Sequence, residues 1–156
     1  MIAALVALWV ASFAPFPSYN APSRANAPTL QPGDHFRVNR LAYVYGGPDR
    51  GDFVVFDVPA GVPRRVSRIV GLGGDTLEAR DGHLIRNGQP VTERYLAAGI
   101  STNDFGPVIV PKGSVFVMGD NRPDSQDSRS YGPIAESALV GRVMLITRPV
   151  GRFGRP

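Results

Sequence analysis

Short runs of apolar residues, spaced by turn-forming residues, follow one another along most of the chain. In residues 35–39 apolar and polar side chains alternate, and residues 52–58 are rich in β-branched and aromatic residues and are followed by Pro59, both of which indicate strands. Residues 114–118 and 139–146 are two further apolar runs of strand length. Only residues 136–139 indicate a helical turn. The pattern therefore predicts a mostly β fold, with a folded-over or barrel-like sheet.

Two dipeptides predict tight hairpins between further short strands. Asp81-Gly82 separates residues 76–80 from 83–86, and Asn87-Gly88 follows that second run. Asp-Gly and Asn-Gly favour two-residue turns because these residues tolerate positive φ angles. We expect a meander of short strands here.

The first sixteen residues carry no charge and are mostly apolar, and Pro15 and Pro17 end any helix there. We predict a short membrane anchor over residues 1–16 and a β domain over residues 17–156. A comfortable span needs about 20 apolar residues, so a truncated anchor, a cleaved signal peptide and a core helix are alternatives. The cationic start of a signal peptide is missing. Four prolines in residues 17–33 favour extended backbone without regular structure.

Composition excludes several kinds of site. The chain has no cysteine, which rules out disulfides and thiolate metal centres. The histidines, His35 and His83, lie far apart and are expected to be exposed, so we expect no metal and no cofactor. The net charge is +4, but the sixteen arginines are scattered, so nucleic acid is not the expected partner. A basic surface suits anionic lipid headgroups.

Four stretches occur in the order found in bacterial type I signal peptidases (leader peptidases, peptidase family S26), and the chain resembles that family over roughly residues 10–148. The four stretches are residues 22–30 (PSRANAPTL), 50–56 (RGDFVVF), 68–75 (RIVGLGGD) and 119–129 (GDNRPDSQDSR). The resemblance implies a serine endopeptidase scaffold in which a serine attacks the peptide bond and a neutral lysine takes its proton.

Both residues of that Ser/Lys dyad are substituted here. The resemblance places Ala25 at the nucleophile and Ser67 at the general base, while Ser23 matches a serine that assists the oxyanion hole. A methyl group cannot attack, and a serine hydroxyl is no substitute for a lysine base. The only lysine, Lys112, lies far from the stretch at residues 22–30 that carries the nucleophile position. Asn26 and Gly73 also depart from the family's usual methionine and proline, which favours natural loss of the dyad over deliberate inactivation.

The fourth stretch is complete, and the resemblance assigns supporting roles to it and to the third stretch. Ser125 would orient the lysine, supported by the Asp127/Arg129 pair. The remaining supporting residues are Asp120, Asn121 and Arg68. An alternative interpretation is purely structural, in which Asp120, Asn121, Asp127 and Arg129 form one hydrogen-bonded network that holds the loop beside the cleft.

The leading hypothesis is therefore a membrane-anchored, inactive homologue (pseudopeptidase) that binds extended signal-peptide-like segments of exported preproteins. Alternatives are a signal peptidase I seen in an inactivated form, and a structural partner of an active paralogue. Enzymatic activity is left open. The resemblance implies a single-pass protein of the bacterial inner membrane, with its domain on the outer, periplasmic face.

Overall fold

In a computed structural model, which describes residues 16–58 and 62–156, nearly all regular structure is β, and the predicted mostly β class is confirmed. Strands are numbered in chain order. The larger sheet has the spatial order β1-β2-β11-β3-β4-β9-β10 and every neighbouring pair is antiparallel. Its strands are β1 (Ser18–Asn20), β2 (His35–Asn39), β3 (Phe53–Val58), β4 (Val62–Leu72), β9 (Ser114–Met118), β10 (Ile134–Ala135) and β11 (Leu139–Arg148).

The smaller sheet has four antiparallel strands in the order β7-β6-β5-β8. Its strands are β5 (Thr76–Arg80), β6 (His83–Arg86), β7 (Gln89–Pro90) and β8 (Phe105–Ile109). The described chain also has one helical turn, α1 (Ser128–Tyr131), and three 3₁₀ turns at Arg122–Asp124, Glu136–Ala138 and Val150–Arg152. The helical turn expected at residues 136–139 is thus confirmed.

Both predicted hairpins are present. Arg80 pairs with His83 across Asp81 and Gly82, whose φ angles are 51° and 82°. Arg86 pairs with Gln89 across Asn87 and Gly88, at 54° and 76°. Two consecutive positive φ angles match the right-handed twist of the flanking strands, so local chemistry sets the register of this sheet.

Other elements differ from the prediction. Residues 17–33 were expected to lack regular structure, but Ser18–Asn20 forms β1. The pattern did not predict β4, which contains a proline and three arginines, because β3 and β9 on either side hold it in place. Nor did it predict β8, which Gly106-Pro107 interrupts, or the short helix α1.

The two sheets share a core. Val70, Phe116 and Met118 of the larger sheet pack against Leu77 and Leu84 of the smaller one. Phe116 also stacks on Phe105, with ring centroids 5.6 Å apart. Two further clusters lie on the larger sheet, one around Phe36 and Phe53 and one around Phe56 and Ile69. Residues of the first three stretches contribute to these clusters, among them Leu30, Val55 and Val70.

The predicted anchor over residues 1–16 lies outside the described residues except for Phe16. Within residues 16–58 and 62–156, no helix has the length and apolar character needed to cross a bilayer.

Asp75 joins the two sheets at the turn between β4 and β5. Its buried carboxylate accepts hydrogen bonds from Arg50, which precedes β3, from Asn87 in the smaller sheet and from the Leu72 backbone. Burial alone would raise the pKa of Asp75, but these hydrogen bonds outweigh it and lower the pKa from 3.8 to about 2. The ionised carboxylate therefore favours the folded state.

We predict that Asp75→Asn lowers the free energy of unfolding by about 2 kcal/mol at pH 7, because folding lowers the pKa of the Asp75 carboxyl from 3.8 to about 2. Because the folded pKa is the lower one, this stabilisation is present above about pH 4 and is lost as the pH falls through about 2. Urea unfolding of both proteins at several pH values measures the difference. If the difference in free energy of unfolding between the two proteins stays constant down to pH 2, the ion-pair explanation is contradicted.

Candidate functional site

Ala25 lies in a turn-rich loop between β1 and β2, and Asn121 binds this loop through two hydrogen bonds. The Asn121 backbone N–H donates to the Ala25 carbonyl at 3.1 Å, and its side-chain amide donates to the Arg24 carbonyl at 3.0 Å. The Ala25 side chain is half-buried. Ser23 is exposed, and its Oγ accepts a long hydrogen bond of 3.4 Å from the Ala25 N–H. The first and fourth stretches are thus in direct contact.

Ser67 lies on β4 opposite Val54 of β3, and its side chain is buried. Its hydroxyl donates to the carbonyl of the preceding residue, Val66, at 2.8 Å. Ser67 and Ala25 line one surface cavity of about 270 Å³, together with Ser23, Asn26, Arg65 and Gln126. The structure therefore brings together the three positions that the resemblance assigned to the dyad and the oxyanion hole.

Asn26 is buried beside this cavity, and one of the two polar atoms of its side-chain amide has no hydrogen-bond partner. Its Nδ2 donates to the Val66 carbonyl at 2.7 Å, while Oδ1 has no hydrogen-bond partner. The same carbonyl accepts from Ser67. Leaving a buried acceptor unpaired costs about 1–3 kcal/mol. A polar amide thus lies next to Ser67, the position that the resemblance assigns to the general base.

The residues Ser125, Asp127 and Arg129 form a compact network. Ser125 Oγ donates to Asp127 Oδ2 at 2.7 Å and accepts from Arg129 Nη2 at 2.8 Å. Asp127 is fully buried, pairs with Arg129 at 2.8 Å and accepts the Gly119 N–H. Burial would raise the pKa of Asp127, but hydrogen bonds from Arg129 and Ser125 outweigh it and hold the pKa below its ordinary value. Every oxygen of this network has a partner without a lysine.

Gly119 is the point of closest approach between this network and the Ala25 loop. A Cβ atom on Gly119 would overlap both the Ala25 carbonyl oxygen and the Ser125 side chain. Only glycine leaves room for these two segments to pack at this distance. Ser125 and the Ala25 carbonyl therefore pack against the same side of Gly119.

Asp120 pairs with Arg68 and takes no part in the Asp127–Arg129 network. Arg68 donates from Nε and Nη2 to the two Asp120 oxygens at 2.9 and 2.8 Å, and Thr29 donates to the same carboxylate. The Arg68 guanidinium lies over the rings of Phe53, at 4.7 Å, and Tyr95, at 4.0 Å. The single network in the structural interpretation is therefore wrong, because Asp120 and Asp127 neutralise different arginines.

A second buried ion pair lies next to this one. Arg122, fully buried, pairs with Glu93 at 2.6 Å and donates to Thr102 at 2.7 Å. Tyr95 donates to Glu93, and burial raises the pKa of the Tyr95 phenol. Sequence reasoning missed Glu93 and Tyr95, since they lie in an irregular segment outside the four stretches. It also assigned no role to Arg65 and Gln126, although Arg65 stands two residues before Ser67.

No group of three or more His, Asp or Glu side chains in the described ranges is arranged to hold a metal ion. His35 and His83 are both exposed, as predicted.

We predict that Asp120→Asn lowers the free energy of unfolding by about 3–5 kcal/mol, because it leaves the buried Arg68 guanidinium without its counter-charge. A matched control is Asp57→Asn, which removes the exposed ion pair with Arg64 and should cost no more than about 1 kcal/mol. Urea unfolding at pH 7 measures both. An equal decrease in the free energy of unfolding in both variants would show that the buried ion pair is no more costly to break than the exposed one.

A family model described as signal peptidase, peptidase S26, matches residues 1–147. Signal peptidase I T of Bacillus subtilis strain 168 is 39% identical over 159 residues, which cover 96% of this chain and 82% of the relative. Probable signal peptidase I-1 of Synechocystis is 34% identical, with 99% and 82% covered.

A solved structure of a signal peptidase I from Enterococcus faecalis V583 is also similar. It matches with a TM-score of 0.54 and 34% sequence identity, covering 61% of this chain and 95% of that one. The family resemblance seen in the four stretches is therefore confirmed: this chain belongs to the signal peptidase family, peptidase family S26.

Proposed function

We propose that this chain is a pseudopeptidase that binds extended, signal-peptide-like segments of exported preproteins without cleaving them. The observation that carries the proposal is the cavity at the assigned dyad. It is lined by the methyl group of Ala25 and by Ser67, whose hydroxyl is bound back to its own strand. Neither side chain offers a nucleophile paired with a base of suitable pKa.

Binding is supported by the architecture around that cavity. β9 pairs with β4 only from Arg68 onward, so residues 62–67 have a named strand on one side alone, β3. Residues 63–65 of this edge can pair with an extended peptide through backbone hydrogen bonds, next to the Val66 carbonyl, which Asn26 and Ser67 already bind. The Ser125–Asp127–Arg129 network and the Asn121 contacts hold the opposite wall of the cleft. A preserved cleft without a dyad suits recognition.

The proposed location is the bacterial inner membrane, with residues 1–16 as a single-pass anchor and the β domain on the outer, periplasmic face. This placement is supported by the uncharged first sixteen residues and by family membership. An active paralogue is a proposed partner, to which this chain would present or withhold preproteins.

A second candidate is signal peptidase I activity itself, the removal of N-terminal signal peptides from exported preproteins. It is favoured by the name of a relative that is 39% identical to this chain, signal peptidase I T. In this chain it would need a nucleophile and a base from outside the dyad positions, or from a partner protein. Ser23, which lines the same cavity, is the first hydroxyl to examine.

We predict that the unmodified full chain in liposomes leaves a preprotein intact and that Ala25→Ser/Ser67→Lys cleaves it. Loss of the nucleophile or base costs about 10⁶-fold in another serine protease, so the gain should be at least about a thousandfold. The buried site at residue 67 should lower the pKa of the introduced lysine by desolvation. The rate should therefore rise with pH through a midpoint well below 10.4.

The controls are each single variant and the pair Ala25→Ser/Ser67→Arg, which keeps the positive charge but supplies no base because arginine stays protonated. None of these three variants should cleave the preprotein. Cleavage by the unmodified chain, abolished by Ser23→Ala, would replace the pseudopeptidase proposal with the second candidate. If the Ala25→Ser/Ser67→Lys variant does not cleave the preprotein, the proposal that the cleft is preserved is contradicted.

A further inference from the structure

We infer that a basic cavity on the outer face of β1, β2 and β11 is a binding site for the phosphate of an anionic phospholipid headgroup. The cavity has a volume of about 360 Å³. Among the described residues it is lined only by Ser18, His35, Arg37, Thr147 and Arg148. Three basic side chains and the Ser18 hydroxyl, with no acidic side chain among the lining residues, match a phosphodiester rather than a cation or an apolar group. The Thr147 hydroxyl already donates to the His35 carbonyl at 3.1 Å.

Strand register brings these side chains together. Ser18 of β1 lies directly opposite Arg37 of β2, and Arg148 of β11 lies opposite His35. Directly paired residues on antiparallel strands have their side chains on the same face, in contact range. The register shifts between Ile146 and Arg148, and such a bulge turns consecutive residues to one side. Thr147 and Arg148 can therefore line the same cavity.

The positive charge of Arg148 is not neutralised by a carboxylate among the described residues. His35 and Arg148 are exposed, and neither forms an ion pair with any described residue. The adjacent acidic residue, Asp34, is buried and pairs with Arg152 at 3.0 Å. A planar guanidinium such as that of Arg148 can donate two parallel hydrogen bonds to phosphate oxygens.

The position of the cavity favours a lipid over free phosphate. Arg37 Nη1 donates to the Phe16 carbonyl at 2.7 Å, at the end of the uncharged segment that we propose as the anchor. The cavity thus lies where the β domain would leave a bilayer surface, within reach of headgroups. The inference rests on the membrane placement in the proposed function, and not on peptide binding in the cleft, which uses a different wall of the molecule.

The test uses the full chain in uncharged maltoside micelles, titrated with dioctanoyl phosphatidylglycerol and followed by native mass spectrometry. A basic side chain close to anionic lipid strengthens binding by about fivefold. Arg148→Gln should therefore weaken phosphatidylglycerol binding about fivefold, and His35→Gln/Arg148→Gln should weaken it further. Both positions are exposed, so thermal unfolding should be unchanged. The matched control, Arg94→Gln, removes an exposed arginine outside the cavity and should change binding less than about twofold.

Dioctanoyl phosphatidylcholine and inorganic phosphate separate the possible ligands. We expect weaker binding of phosphatidylcholine and no competition from inorganic phosphate. Equal binding of the two lipids, or equal weakening by Arg94→Gln and Arg148→Gln, would overturn the site. If inorganic phosphate competes as strongly as phosphatidylglycerol binds, the cavity is a site for free anions and the lipid assignment is overturned. None of these outcomes affects cleavage by the Ala25→Ser/Ser67→Lys variant, so the two proposals fail separately.

Discussion

The buried ion pair between Arg68 and Asp120 is the constraint on which the rest of the site depends. Arg68 comes from the centre of β4 and Asp120 from the loop after β9, and the same carboxylate holds Thr29 of the Ala25 loop. Three segments distant in sequence thus meet at one carboxylate. A buried pair contributes little net stability, because desolvation offsets most of the attraction, but it is costly to break. Its effect here is to fix the relative positions of the segments that line the cleft.

Around this pair, the cleft has an ordered framework, while the positions that the resemblance assigns to the nucleophile and the base are Ala25 and Ser67. The Ser125–Asp127–Arg129 network is hydrogen-bonded within itself, so it does not depend on a lysine to stay ordered. Asn26 carries an unpaired buried oxygen in the same wall, at a cost that an apolar residue would avoid. An ordered framework beside an altered centre is consistent with the proposed binding role. A polar cleft wall would also select different peptides from an apolar one.

Much of the fold could be predicted where local chemistry decides it. Asp81-Gly82 and Asn87-Gly88 set two hairpins, and β2 and β9 have the predicted bounds. β4 could not be predicted from its own residues because pairing with β3 and β9 overrides its low strand propensity.

The same distinction applies to the site. The motifs predicted which residues would gather, including Ala25 and Ser67 in one cavity. They did not predict which charges would pair. Asp120 pairs with Arg68 and not with Arg129. Arg122 pairs with Glu93, which lies in an irregular segment. Such pairings depend on long-range packing, which spacing along a sequence does not encode.

The central claim is that the cleft binds a peptide and leaves it intact. The most direct measurement is the fluorescence anisotropy of a labelled signal peptide titrated with the unmodified full chain in liposomes, followed by mass spectrometry of the recovered peptide. We expect saturable binding that unlabelled peptide competes away, with the peptide recovered at full length. A cleaved peptide, or anisotropy that never saturates, would contradict it.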